Sequence, residues 1–347
     1  MDVRDLGITI GALPRGRRNT ICDVAGVRVG HCTIDDERSK TGVTVVMPCE
    51  GNIFRDKLIA ASFVLNGFGK TLGLVQIDEL GTLETPIALT NTLNVGLVHD
   101  ALVEYSINAC VRDGVKLRSV NPVVCECNDA SLNDITLRAV KKEHVFRAIE
   151  SAGEDFALGD VGCGKGTTCH GLKGGVGSAS RIVTLDGRDY TVGVLMQTNH
   201  GSLRDLCIDG KAIGRALEKE LKANEPDKGS CIAVVATDLP VSSRQLKRIL
   251  KRAAIGLVRN GSYLGHSSGD IFVGFSTANR VYQTDAALRS ADYLNEDCID
   301  AAFRACAEAA EEAVLSSLLN ANTVTGYSGN TRVSLREAIE RSGMMEL

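Results

Sequence analysis

Two short segments, "CIAVVATD" (231–238) and "IFVGFST" (271–277), carry apolar residues at consecutive positions over most of their length. Successive side chains of a strand point to opposite faces, so a strand that is apolar on both must be covered on both. The chain therefore needs a sheet buried between two layers, which excludes a one-sided sheet open to water. Further strand-like runs are "GVTVVMP" (42–48), "ASFVLNG" (61–67) and "PIALTNT" (86–92). "RIVTLDGRDYTVGVLMQTN" (181–199) reads as a hairpin, because Asp186-Gly187 supplies the positive φ angles of a two-residue type I′ turn.

Cover for those strands comes from three helical patterns. After Ser242 and Ser243 as N-caps, Leu246, Ile249, Leu250, Ala253, Leu257 and Val258 keep helical spacing until Asn260-Gly261. Residues 298–319 form an Ala-rich helix suited to close packing, and 133–153 read as a third helix. Hairpins with amphipathic helices predict a mixed α/β (α+β) fold with helices on the sheet faces. No repeat or low-complexity linker divides the chain, so residues 1–347 read as one domain.

A net charge of −4 disfavours a nucleic-acid partner. The strongest basic cluster, Arg244, Lys247, Arg248, Lys251 and Arg252, falls on the polar face of a helix and reads as solvated surface. No long apolar span predicts a membrane contact, and "MDVRDLGITIGALPRGRR" does not read as a signal peptide. Twelve cysteines scattered without paired spacing are then expected to be free thiols in a reducing cytoplasm.

Several motifs imitate sites. "GDVGCGKG" (159–166) approaches a P-loop, but Gly166 stands where a magnesium-binding Ser or Thr is required. "NGFGKTLG" (66–73) misses the dinucleotide-binding spacing. Cys125, Cys127, Cys163, Cys169 and His170 suggest a metal, yet neither Cys-x-Cys nor Cys-His has the separation that lets two side chains of one segment grip zinc. No metal and no cofactor are expected.

Gly229-Ser230 poses a sharper question, because a polar stretch, "ANEPDKG", becomes a buried strand across that bond. Were the bond cut, Ser230 would be an N-terminal residue whose own α-amine, titrating near ~8, could serve as base for its hydroxyl. The cut itself needs the hydroxyl to attack the preceding carbonyl, and glycine leaves that carbonyl open.

The chain resembles the DmpA-like aminopeptidases, the family of L-aminopeptidase D-amidase/D-esterases and β-peptidyl aminopeptidases. The resemblance runs nearly end to end, through "RNTICDVAGVRVGHCTI", "NGFGKTLGLVQIDELGTLETPIALTNTLNVG", "NPVVCECNDASLND", "GKGTTCHGLKGGVGSASR", "VGVLMQTNHG", "GSCIAVVATDLP" and "GHSSGDIFVGFSTAN". It implies a four-layer αββα sandwich and a self-processing N-terminal nucleophile hydrolase, cut between Gly229 and Ser230 into an α chain (1–229) and a β chain (230–347). Ser230 would be the nucleophile, with Ser268 and Asp270 of "SGD" beside it, Asn199 of "QTNHG" in the oxyanion hole, and Glu126 receiving the substrate's amino group. Substrates would be short peptides, amino-acid amides or esters, and the assembly a homo-oligomer, often a tetramer of α/β units. Around Glu126 the family commonly has Gly before it and an aromatic two residues on; here Cys125 and Asn128 stand there, so Asn128 is expected to reshape the substrate pocket. Ser267 stands where the family often has Gly, and Cys231 after the nucleophile is unusual. The rival readings are an ornithine acetyltransferase-like acyl transferase, which would use a threonine at the cut, and an unprocessed binding protein of the same fold.

Overall fold

Two sheets organise the computed structural model, which describes residues 2–221, 229–283 and 286–343. The first contains β1 (Arg28–Asp35), β2 (Lys40–Met47), β5 (Ile87–Asn91) and β6 (Val123–Cys127), in that order. The second runs β4 (Thr82–Leu83), β3 (Asp56–Gly67), β12 (Gly269–Tyr282), β11 (Ser230–Thr237), β10 (Arg188–Asn199), β9 (Val176–Leu185). A small hairpin, β7 (Thr168–Cys169) and β8 (Leu172–Lys173), stands apart. Most neighbours are antiparallel; β5 with β6 and β11 with β12 are parallel, each pair needing a helical crossover.

Those crossovers, with the remaining helices, supply the outer layers. Helix α1 (Leu74–Leu80) follows β3, α2 (Val95–Arg112) joins β5 to β6, and α3 (Lys142–Glu150) follows β6. α4 (Gly214–Leu221) precedes β11, α5 (Ser243–Leu250) and α6 (Ala253–Arg259) join β11 to β12, and α7 (Ile299–Leu319) and α8 (Leu335–Ser342) complete the chain. Three apolar cores separate the layers. Val98, Leu102, Val145 and Ala148 of α2 and α3 pack with Val43, Val45 and Val124 of the first sheet. Leu89, Val123 and Cys125 share a core with Leu195, Val234, Val273 and Phe275 of the second sheet. Val194, Val235 and Phe272 face Leu246, Leu257, Ala309 and Leu318 of α5, α6 and α7. The order is helix, sheet, sheet, helix: the αββα sandwich.

Strand β11 shows why its sequence lacks polar relief. Ile232, Val234 and Ala236 enter the core between the sheets, while Cys231, Ala233 and Val235 enter the core under the helices. The hairpin also forms as expected, with Asp186 at φ 50° and Gly187 at φ 76°. On β9, Gly177 allows α7 to lie close, since a Cβ there would stand 1.8 Å from the Ala313 carbonyl oxygen.

Two helices are shorter than periodicity predicts. The 242–260 pattern is two helices, α5 against β3 and β12 and α6 against α7, broken at Lys251 and Arg252 so that each packs on its own support. In 133–153 only α3 is α-helical, apart from a single 3₁₀ turn at Ile135–Leu137. Asn133 and Asp134 spend their side chains on Asp129 and Arg38, and Arg138 sits at φ 47°, which ends any regular turn. No helix among the described residues is long and apolar enough to cross a membrane.

Candidate active site

One end of the second sheet gathers the residues named from sequence. Asn199 is paired with Ser230 across β10 and β11, Cys231 with Asp270 across β11 and β12, and Asp270 with Asn66 across β12 and β3. Four adjacent strands thus gather these polar residues at one sheet end in two successive rows, Asn199 with Ser230 and, one residue on, Asp270 with Asn66. The antiparallel and parallel pairings bring together the C-terminal ends of β3 and β10 with the N-terminal ends of β11 and β12.

Ser230 is buried, and its Oγ accepts the Gly269 N–H at 3.2 Å. Gly229 is packed tightly: a Cβ would lie 1.6 Å from the Asn199 carbonyl oxygen and 2.7 Å from the His200 Cα. Here the requirement for glycine is close approach, with no positive φ involved. The rest of the "ANEPDKG" stretch, residues 223–228, lies outside the described residues.

Ser268 and Asp270 are fully buried, and the Ser268 hydroxyl donates to Asp270 Oδ1 at 2.8 Å. Asn66 Nδ2 donates to the other carboxylate oxygen at 3.1 Å and to the Leu264 carbonyl at 2.8 Å. The carboxylate therefore orients the Ser268 hydroxyl. Asn66 was not legible from sequence, since its only signal is its pairing with Asp270 across β3 and β12.

Asn199 is held by its oxygen. The Thr168 N–H donates to Asn199 Oδ1 at 3.1 Å, which directs the amide NH2 away from Thr168. Thr168 is itself fixed by a buried lysine: Lys173 Nζ donates to the carbonyls of Gly164, Thr167 and Gly174 at 2.9, 2.7 and 2.7 Å. Burial pulls Lys173 down to about 7, while the three carbonyls, one for each N–H of an ammonium, act the other way.

Glu126, 3% exposed, accepts the Lys70 N–H at 2.9 Å and the Thr92 hydroxyl. Gly69 and Gly269 lie between it and Ser230: a Cβ on Gly69 would lie 3.8 Å from both Glu126 Oε1 and the Gly269 Cα, and the Gly269 N–H donates to Ser230 Oγ. Asn128 is exposed, and its Oδ1 accepts the Ala130 N–H at 3.0 Å, capping the turn after β6.

The same turn is tied to β2 by Asp129, which accepts the Thr41 hydroxyl at 2.6 Å and the Asn133 amide at 3.0 Å. Burial raises Asp129 from 3.8 to about 6. A carboxyl raised on folding stabilises the fold fully below its unfolded pKa, and that contribution is lost as pH rises through the folded value. In urea unfolding at pH 4 and pH 7, Asp129→Asn should therefore lose less stability than the wild type over this interval. An equal or steeper loss in the variant would contradict the assignment.

The metal-like cysteines separate. Cys125, Cys127 and Cys163 are buried thiols; burial pushes Cys125 and Cys163 up to about 12 and Cys127 well above its ordinary value, so they remain protonated. Cys169 and His170 instead meet His200, a combination their sequence spacing did not suggest. Lys165 of the P-loop-like motif pairs with Asp35 and Asp160, and β7 follows it where a phosphate-binding loop would open a helix.

A buried serine heading a central strand of an αββα sandwich places the chain in the N-terminal-nucleophile hydrolase fold. The model of peptidase family S58 matches residues 19–332. This chain belongs to that family and is a peptidase. It is 40% identical over 355 residues to the β-peptidyl aminopeptidase BapA of Sphingosinicella microcystinivorans, covering 94% of this chain and 88% of that protein. A crystal structure of a Pyrococcus horikoshii protein superimposes with a TM-score of 0.92 at 45% identity, over 99% of this chain and 98% of that one. The L-aminopeptidase D-Ala-esterase/amidase of Ochrobactrum anthropi, described as a prototype of the serine aminopeptidases and a variant of the Ntn hydrolase fold, gives 0.89 at 32% identity over 99% of both chains.

Proposed function

We propose that this peptidase is a self-processing N-terminal serine aminopeptidase and amidase acting on short peptides, amino-acid amides or esters with a free amino group. The observation that carries the reading is the pairing of Ser230 with Asn199, with Gly229 pressed against the Asn199 carbonyl. In processing, Ser230 Oγ attacks the Gly229 carbonyl carbon, the C–N bond breaks, and an ester with a free Ser230 amine results. Water hydrolyses that ester, leaving the Gly229 carboxylate and restoring the hydroxyl. The α chain is then 1–229 and the β chain 230–347, held together by the sheet pairing of β10 with β11.

In turnover the Ser230 α-amine accepts the hydroxyl proton as Oγ attacks the substrate carbonyl. The Asn199 amide donates to the developing oxyanion. Ser268, aligned by Asp270, relays a proton toward the leaving amine, and water releases the acyl group from Ser230. Protein groups and water supply every step. Glu126 holds the substrate ammonium, and Asn128 lines the outer substrate pocket.

The twelve free cysteines, nine of them buried, support a reducing cytoplasm. Exposed Leu65, Phe68, Leu72, Val75 and Leu80, running from the end of β3 through α1, support a homo-oligomer, a tetramer of α/β units in this reading.

Denaturing intact-mass analysis with N-terminal sequencing tests the reading. Pieces of 229 and 118 residues, the smaller beginning Ser-Cys-Ile-Ala, are expected, and a folded chain that stays whole on incubation would overturn it. Glu126→Gln should raise KM for a free-amine amide by about ten- to a hundredfold, the value of a charge-assisted hydrogen bond. An N-acylated analogue should be hydrolysed no worse than by wild type; equal losses on both substrates would place Glu126 elsewhere.

A further inference from the structure

We propose that Cys169, His170 and His200 form a binding site for one borderline-soft divalent cation, with Zn²⁺ as the fitting ion, behind the strand ends that carry Asn199 and Ser230. One thiol and two imidazoles lie with their ligand atoms all within 4.8 Å of one another, and all three residues are buried. Bond lengths of about 2.3 Å to sulfur and 2.0–2.1 Å to nitrogen put ligands of a tetrahedral zinc about 3.3–3.7 Å apart. A contraction of about 1–1.5 Å closes the cluster, leaving a fourth position for water. Sulfur with two imidazoles is a donor set that favours zinc over magnesium or calcium.

Independent features build the site around that purpose. His170 Nδ1 lies 3.0 Å from the Ser202 carbonyl, which can only accept, so Nδ1 carries the hydrogen and Nε2 presents its lone pair. A backbone carbonyl fixing the tautomer from behind is the usual outer support of a ligating histidine. His170 and Gly171 turn β7 into β8 with φ of 48° and 71°, and the His170 N–H donates to the His200 carbonyl at 2.7 Å, locking the two ligand-bearing segments together. The rings meet edge to face at 5.5 Å, an arrangement in which both edges can turn to one point. Two glycines provide room: a Cβ on Gly201 would lie 2.4 Å from His170 Nδ1, and one on Gly174 2.5 Å from the Cys169 Cβ.

Binding would form one metal–sulfur and two metal–nitrogen bonds and release the thiol proton to solvent. Because His200 follows Asn199 and packs under Gly229, an occupied site would also stiffen the segment that presents Asn199. The inference goes beyond the peptidase reading and does not depend on it.

The test uses the purified full-length protein and a Ser230→Ala variant, both stripped with chelator and dialysed. Zn²⁺ is titrated in competition with a chromogenic chelator, and Co²⁺ is added separately to look for thiolate-to-cobalt charge-transfer absorption. One equivalent per chain is expected in both proteins, with a rise in Tm. Cys169→Ser should abolish the cobalt band, and both it and His170→Asn should weaken binding at least about tenfold. Cys298→Ser, which removes the exposed thiol, should change neither. Folded wild-type protein that binds less than stoichiometric zinc overturns the proposal, as does a cobalt band that survives Cys169→Ser. If Cys169→Ser fails to fold, undiminished binding by folded His170→Asn overturns it equally. Loss of peptidase activity in Ser230→Ala with zinc binding intact would separate the fate of this site from that of the nucleophile.

Discussion

Ser230→Ala is expected to remain one 347-residue chain and to lose at least about 10⁴-fold in kcat, the scale seen when the nucleophile of a serine hydrolase is removed. Two losses coincide in this variant. The hydroxyl that would cut the Gly229–Ser230 bond is gone, and without the cut the residue 230 nitrogen remains an amide with no basicity. The substitution should leave folding intact, because the Ser230 side chain is a small group at a strand start and β11 is paired on both sides. Ser230→Thr keeps a hydroxyl and an amine and should retain partial processing. Denaturing mass and amidase assays on both variants, with circular dichroism as the folding check, decide the matter. Processing in Ser230→Ala would sink the assignment of the cutting residue; full amidase activity in it would sink that of the nucleophile.

Asn199→Ala is expected to lower kcat by about 10²–10³-fold with little change in KM, as loss of one oxyanion donor does. Its support makes a second, stricter prediction. Lys173 holds the Thr167 carbonyl, Thr168 follows it in the chain, and the Thr168 N–H holds the Asn199 oxygen. Lys173→Met should therefore lower kcat through Asn199 as well as lowering Tm by leaving buried carbonyls unpaired. Combined with Asn199→Ala it should cost no further kcat, because the group it positions is already absent. Additive losses in kcat would make Lys173 a structural residue only. A rise in KM without loss of kcat in Asn199→Ala would move that amide from oxyanion stabilisation to substrate binding.

The layered fold was legible because burial leaves a mark at each position. "CIAVVATD" could only be a strand covered twice, and the cores on its two faces share its residues alternately. The Asp186-Gly187 turn was legible for a similar reason, since few residue pairs adopt two successive positive φ angles. Helix limits were less readable. Asn133, Asp134 and Arg138 withdraw 133–141 from the α-helix through contacts with distant residues, which periodicity does not encode.

Among the candidate site residues, Ser230, Ser268, Asp270, Asn199 and Glu126 came from ordered motifs, and the first four of these lie at one sheet end. Asn66, the Thr168 and Gly269 N–H groups, Thr92 and Lys173 left no local signal. An asparagine in a strand, a backbone amide or a lysine after a turn acquires a role only from what lies across the sheet. The same holds for His200 beside Cys169 and His170: chain spacing disfavoured a metal, because it registers only ligands supplied by one segment.

Local chemistry was thus enough to mark most of the long strands, though not β1 or β6, to show which of their faces are apolar, and to show that a glycine precedes a serine at the head of a buried strand. Periodicity and turn geometry are properties of a few consecutive residues, and the chain carries them wherever it goes. Register is different. Placing Asn199 opposite Ser230, and Asp270 between Cys231 and Asn66, required strands far apart in sequence to pair at one particular offset. A slip of one residue would have turned each of those side chains to the other face. Long-range pairing and close glycine contacts select that offset, and they exist only once the layers have packed.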